Sequence, residues 1–154
     1  MQVMEPFVRP VDPSAADAIA AIRDDLDVLD DWMDRYQHII DLGRKLPHFP
    51  SAWADDAHKV PGCQSQVWMA AKPDDGRIFL AGASDAAIVS GLIALLLRVY
   101  SGRTAAEIRA TDPRFLIDLG LIGGLSTNRG NGVAAMIRRI QLLAEAATVA
   151  QPAS

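Results

Sequence analysis

The run VPGCQSQVWMAAKPDDGRIFLAGASDAAIVSGLIALLL, from Val60 to Leu97, decides the fold. Pro61 fixes φ and Gly62 tolerates φ > 0, so Val60 to Cys63 reads as a tight turn. After it Cys63, Ser65, Val67 and Met69 alternate with Gln64, Gln66 and Trp68 in the period of a strand. Pro73-Asp74-Asp75-Gly76 is a turn signal, and Arg77 to Ala83 reads as the returning strand. The spacing predicts an antiparallel hairpin over Cys63 to Ala83, with Asp74 to Gly76 at its far turn and Cys63 at its open end. Ser84 then reads as an N-cap, with Asp85 as the first helical residue, suited to the positive end of the helix dipole. Ala86 to Leu97 is apolar except for Ser90 and Gly91, is far too short to span a bilayer, and runs straight into Arg98. It is predicted as the buried central helix, with Gly91 letting the sheet lie close.

Helical patterns lie on both sides. Ser14 is a candidate N-cap, after which Ile19, Ile22, Leu26 and Leu29 recur at helical spacing while Asp24, Asp25 and Asp27 face outward. A second helix starts near Asp30 or Asp31, places Met33, Tyr36, Ile39 or Ile40, and Gly43 on one face, and is stopped by Pro47. Residues 48 to 58 form a loop whose Phe49 and Trp53 must pack onto something or mark a contact surface. Beyond the central helix, Gly102 ends it, Thr104 to Glu107 is a capping box, and Asp112-Pro113 caps a short helix that turns Phe115, Leu116 and Leu119 inward. The last helix runs from about Ser126 or Asn128 to Ala147, with Val133, Met136, Ile137, Ile140 and Leu143 inside. Helices, a hairpin, then helices make an α+β two-layer single domain over 14–147, a small antiparallel sheet packed on helices. An irregular arm over 1–13, punctuated by Pro6, Pro10 and Pro13, precedes it, and a small polar tail, 148–154, follows.

Composition narrows the function. A chain of 154 residues can bury a full core without staples. One cysteine excludes an internal disulfide and a self-contained Cys-ligated zinc or iron–sulfur site, and His38, His48 and His58 form no metal cluster. A net charge of −4 and only three lysines argue against nucleic acid or an anionic membrane as partner. Met1 to Pro6 shows no signal or transit pattern, so the expected location is the cytoplasm. The glycine-rich stretch Gly120 to Gly132 lacks the Lys-Ser or Lys-Thr of a phosphate loop and reads as a helix-to-helix connection.

That leaves Cys63. A lone cysteine is often just a small buried hydrophobe. Here Gly62 allows close approach to the sulfur, and the Gln and Ser side chains with nearby backbone N–H groups can hydrogen-bond a sulfur anion without a full charge. Such a site suits a thiolate or a persulfide. Lys59 is the one cation close in sequence, so strong electrostatic activation is not evident.

Four segments together resemble the SufE family of sulfur-acceptor proteins: Tyr36 to Pro47, Val60 to Trp68, Gly82 to Ile93, and Leu125 to Arg129 with Gly132 to Ile137. The string Gly-Cys-Gln-Ser-Gln-Val-Trp, Gly62 to Trp68, is the most specific of these. The resemblance implies a cytoplasmic protein of SufE/NifU-like fold that takes persulfide sulfur from a SufS-like, PLP-dependent cysteine desulfurase and passes it toward a cluster scaffold. It implies no stand-alone activity, no metal, and no cofactor of its own, since PLP belongs to the partner. Cys63 matches the acceptor cysteine, with Gly62 and Gln64 beside it. Asp85 matches an acidic position near the cysteine loop, and Arg129 an arginine expected at the partner surface. The family's Ser-Arg is Asn128-Arg129 here, and the arm before Ser14 is extra. Two other readings stand beside this one. Cys-Gln-Ser-Gln-Val-Trp superficially resembles the nucleophile string of papain-type hydrolases, although all three histidines precede Cys63 and the thiol opens a strand. A non-catalytic interaction module with an inert cysteine is the other.

Overall fold

The computed structural model describes residues 6–63, 65–120 and 127–150. Helix α1 spans Ala15–Asp27, capped by Ser14, whose Oγ accepts from the Asp17 amide at 3.1 Å. Helix α2 spans Trp32–Arg44 and is capped by Asp31. After a 3-10 turn at Ser51–Trp53 come strands β1, Val67–Asp74, and β2, Arg77–Ser84, which pair antiparallel with Val67 opposite Ser84 and Asp74 opposite Arg77. Asp75 and Gly76 make the connecting turn with φ of 53° and 79°, the two positive values that a tight two-residue hairpin turn requires. Helix α3, Ala87–Tyr100, follows, then α4, Ala105–Ala110, α5, Phe115–Asp118, and α6, Thr127–Ala150.

The central helix is as apolar as its sequence implies. Ile88, Leu92, Ile93, Leu95, Leu96, Leu97, Val99 and Tyr100 are all buried. At about 1.5–3 kcal/mol per large apolar side chain removed from water, α3 is the main source of hydrophobic stabilisation. One face meets the sheet, where a Cβ added to Gly82 would stand 2.8 Å from Ile93 Cγ2. The opposite face meets α2, and here the role expected of Gly91 is corrected. A Cβ on Gly91 would lie 2.0 Å from the Ile39 carbonyl oxygen, and one on Gly43 would lie 2.5 Å from the Gly91 nitrogen. Gly91 thus lets another helix, not the sheet, lie close. Met33, about 15 Å along the helix axis from that seam, is 68% exposed, whereas Ile39 is buried.

Two further expectations shift. The helix begins at Ala87, and Ser84 Oγ accepts from the Ala86 amide at 3.2 Å, so Ser84 and Asp85 form a turn ahead of the helix. The capping box at α4 is half made: Thr104 Oγ1 accepts from the Glu107 amide, while the Glu107 carboxylate reaches across the fold to the Ala15 amide at 2.8 Å and ties down the start of α1.

Among the described residues the sheet has two strands, and both outer edges are covered. Along β2, the Ile78 amide donates to the Arg103 carbonyl, the Leu80 amide to Ser101 Oγ, and the Val8 amide to the Leu80 carbonyl. Residues 6–13 have no regular structure but are docked: Phe7 is buried, and Arg98 forks onto the Asp12 carboxylate at 2.9 and 3.2 Å. Arg103, 1% exposed, donates to the carbonyls of Val99, Asp12 and Arg98, which spends its buried charge on backbone oxygens. Phe49 and Trp53 close a small second cluster with Phe7, Ala70 and Ala81. Along β1, the outer edge is taken by residues 58–60, and that pairing builds the site.

Candidate functional site

Cys63 does not enter β1. The Val60 amide donates to the Val67 carbonyl at 2.8 Å and the Met69 amide to the His58 carbonyl at 2.9 Å, with Lys59 bridged to Trp68. Residues 61–63, 65 and 66 therefore lie in the connection of a second hairpin on the far side of β1, longer than the β1–β2 turn, and Cys63 is part of that connection. The alternation from Cys63 to Met69 is real only from Val67 onward: Val67 and Met69 are buried and Gln66 is exposed. Pro61 and Gly62 bend the chain out of register first. Gly62 has φ of 88°, a left-handed conformation that other residues adopt only at a cost, and its Cα faces Ala135 of α6, where an added Cβ would stand 3.4 Å from the Ala135 Cβ.

The loop is held on three sides. At its return, the Asp85 carboxylate accepts from the Gln66 amide at 3.0 Å and the Asp85 amide donates to the Gln66 carbonyl at 3.3 Å. Ahead of it, Arg139 donates from Nη2 to the Ala57 carbonyl at 3.0 Å. Beneath that strand, His58 hydrogen-bonds Asp55 at 2.7 Å and stacks on Trp53 with ring centroids 5.9 Å apart. The hydrogen bond from His58 holds the Asp55 carboxyl below its ordinary range. On the third side the sulfur rests on α6, with Sγ 3.6 Å from the Gly132 carbonyl oxygen as a weak S–H donor.

The electrostatics suit a resting thiol. Cys63 is half-buried, and burial pushes its pKa up, because desolvation disfavours the charged thiolate. The thiol therefore stays protonated at neutral pH in this arrangement, as the scarcity of nearby positive charge in the sequence suggests. No hydrogen bond joins Cys63 to a histidine among the described residues, and the raised pKa is opposite to that of an ionised Cys–His pair. The hydrolase reading finds no base here. No group of three or more metal-ligating side chains occurs among the described residues.

Of the residues picked from sequence, the structure brings Gly62, Cys63 and Asp85 to one loop. Gln64 lies outside the described residues. Arg129 falls in the first turn of α6, three residues before Gly132; its side chain is outside the described set. Sequence reasoning missed the floor of the site, Gly132 and Ala135, and the flanking Arg138 and Arg139. The apolar repeat of α6 marks Val133, Met136, Ile137 and Ile140 as inner positions and says nothing about what its flank touches.

The fold and site define a small α+β domain that presents one half-sheltered thiol on a braced loop. The family described as "SufE: Fe-S metabolism associated domain" matches residues 20–144, and the chain belongs to the SufE family. It is 43% identical over 129 residues to a SufE-like protein of Rhizobium meliloti, covering 80% of this chain and 92% of that one. It is 38% identical over 114 residues to the sulfur acceptor protein CsdE of Escherichia coli, covering 73% and 78%. Among solved structures, a hypothetical protein from Thermus thermophilus matches with a TM-score of 0.71 at 20% identity, covering 86% of this chain and 96% of that one, which shows the shared fold.

Proposed function

We propose that this protein is a sulfur carrier: Cys63 takes sulfur from the persulfide of a PLP-dependent cysteine desulfurase, stimulates that enzyme, and passes the sulfur on for iron–sulfur cluster assembly in the cytoplasm. The observation that carries the reading is the placement of the sole thiol on a loop clamped at both ends, its sulfur lodged against a helix and not sealed in the core. Kinship to a protein named as a sulfur acceptor agrees with it.

In the transfer, the Cys63 thiolate attacks the outer sulfur of the partner's persulfide; the new Sγ–S bond forms as the old S–S bond breaks, and the partner's cysteine leaves as a thiolate. No metal or cofactor of this chain takes part, and PLP belongs to the partner. Because burial on α6 keeps the thiol protonated, activation requires the loop to lift from Gly132, which lets the sulfur ionise and reach into the partner's site. The same fold-back shelters the product persulfide, a reversible cap that stray thiols would strip. Gly62 serves as the hinge, Asp85 holds the sheltered form, Gln64 follows Cys63 in the sequence, and Arg129 is the position at which the family resemblance puts a partner-facing arginine.

The test is to mix the protein with a cysteine desulfurase and free cysteine, then follow sulfide release and the mass of the peptide containing Cys63. The parent should stimulate release and gain one sulfur on that peptide, and Cys63→Ser should do neither. A Cys63→Ser variant that stimulates as well as the parent would overturn the proposal.

A further inference from the structure

Beside the cysteine loop, between the Pro61–Gly62 turn and α6, lies a cleft of about 400 Å³. Its floor and walls are apolar, from Pro61, Gly62, Ala135 and Leu142, and the charged groups lining it are Arg138 and Arg139. No acidic side chain lines it among the described residues, although the chain as a whole carries −4. A concave, mostly apolar space of a few hundred Å³ with a few convergent polar groups is the usual form of a small-ligand site. One of those groups is unsatisfied: Arg139 Nε is buried with no hydrogen-bond partner among the described residues, while Nη2 of the same side chain holds the Ala57 carbonyl. The Arg139 side chain is thus anchored in place, whereas Arg138, which also lines the cleft, is exposed, and a guanidinium matches a carboxylate, which can accept from two N–H groups at once.

Cys63 sits at the end of the same helix stripe. Its sulfur is on Gly132, and Ala135, Arg138, Arg139 and Leu142 follow at helical spacing. Six residues of helix from Gly132, on which the sulfur rests, to Arg138 rise about 9 Å, which sets the order of length a ligand needs to bridge them. Ala135, which lies between the arginines and Gly132, would floor an aliphatic stem.

We propose that this cleft binds a small carboxylate-bearing thiol and directs it at Cys63. The arginines hold the carboxylate, and the thiol end reaches back along α6 to the sulfur. In sulfur delivery, a step that rests on Cys63 being the carrier, the bound thiolate attacks the outer sulfur of the Cys63 persulfide. A new S–S bond to the ligand forms, the Cys63 Sγ–S bond breaks, and its electron pair leaves on Cys63 as a thiolate. The ligand departs as a small persulfide, which gives the protein a soluble outlet for sulfur besides a protein acceptor.

Thiol exchange tests this without any desulfurase, so its outcome is independent of the sulfur-carrier reading. Cys63 is first converted to its neutral thiopyridyl disulfide, and release of the pyridinethione is followed with 6-mercaptohexanoate, 6-mercaptohexanol or mercaptoacetate. Each rate is divided by that of the urea-unfolded chain to remove intrinsic thiol reactivity. The normalised rate with 6-mercaptohexanoate should exceed that with 6-mercaptohexanol by about tenfold, the order expected of two partly exposed ion pairs. Mercaptoacetate, too short to span the distance, should show little advantage. The ratio should fall toward one in an Arg138→Gln, Arg139→Gln double variant and in high salt. The 6-mercaptohexanol rate is the reference within each variant, so a general loosening of the loop does not imitate the effect. Equal normalised rates for the two hexyl thiols in the parent, or a ratio unchanged by the double substitution, would overturn the proposal.

Discussion

Removing the Asp85 carboxylate should open the cysteine loop. Asp85→Ala deletes the acceptor of the Gln66 amide, a contact of 3.0 Å at the loop's return, and leaves the reciprocal backbone bond of 3.3 Å and the sulfur's contact with Gly132 in place. Both residues are exposed, so water takes over the freed amide and the loss is the net value of one solvent-facing hydrogen bond, about 1 kcal/mol. A shift of that size raises the ratio of lifted to sheltered loop about fivefold. Cys63 reacts through the lifted form if the sheltered thiol is protonated and half-covered, so native alkylation by iodoacetamide, read by mass spectrometry, should quicken about fivefold in Asp85→Ala. Asp85→Asn keeps an oxygen acceptor without the charge and should fall between the two. The effect depends on pH in a definite direction. Burial raises the Cys63 pKa in the sheltered form, so the preference for that form is complete below the ordinary thiol value and fades as pH rises through the raised one. The gap between variant and parent should therefore narrow in alkali. Equal rates at neutral pH for parent, Asp85→Ala and a urea-unfolded control would refute the reasoning, since a loop already open has nothing for Asp85 to hold.

Two further outcomes concern the scaffold. Gly91→Ala puts a methyl carbon where the Ile39 carbonyl oxygen is 2.0 Å away, so α2 and α3 must part; urea unfolding should show a loss of about 2–3 kcal/mol or a failure to fold, and an unchanged midpoint would contradict the seam. Burial, with a smaller push from Asp112, raises the Tyr100 phenol to about 12. Because the raised pKa favours the protonated phenol in the folded state, its contribution is whole below about pH 10, the ordinary phenol value, and is lost as pH climbs through about 12. Ultraviolet titration should find one tyrosine ionising late and together with unfolding, and ionisation of both tyrosines near the ordinary value would contradict it.

Local pattern made much of the framework legible. The β1–β2 hairpin follows from Asp75-Gly76 flanked by strand-forming runs, α3 from an apolar run ended by Gly102, and the inner face of α6 from its 3.6-residue period. These features rest on interactions between neighbours in sequence, so sequence alone determines them. The same holds for the candidate site, because a chain with one thiol offers thiol chemistry one place. Tertiary structure decided what lies against it. Period-two alternation could not show that Cys63 sits in the hairpin between 58–60 and β1, because alternation marks faces of a strand and not where pairing stops. Nor could the sequence show that Gly91 receives a helix, that Asp12 and Val8 dock the N-terminal arm, or that Gly132 and Ala135 are the floor beneath the sulfur. Each of these joins groups far apart along the chain, and such contacts are fixed only when buried surfaces fit together. The lone thiol is written in the sequence; the helix beneath it and the cleft beside its loop are products of packing.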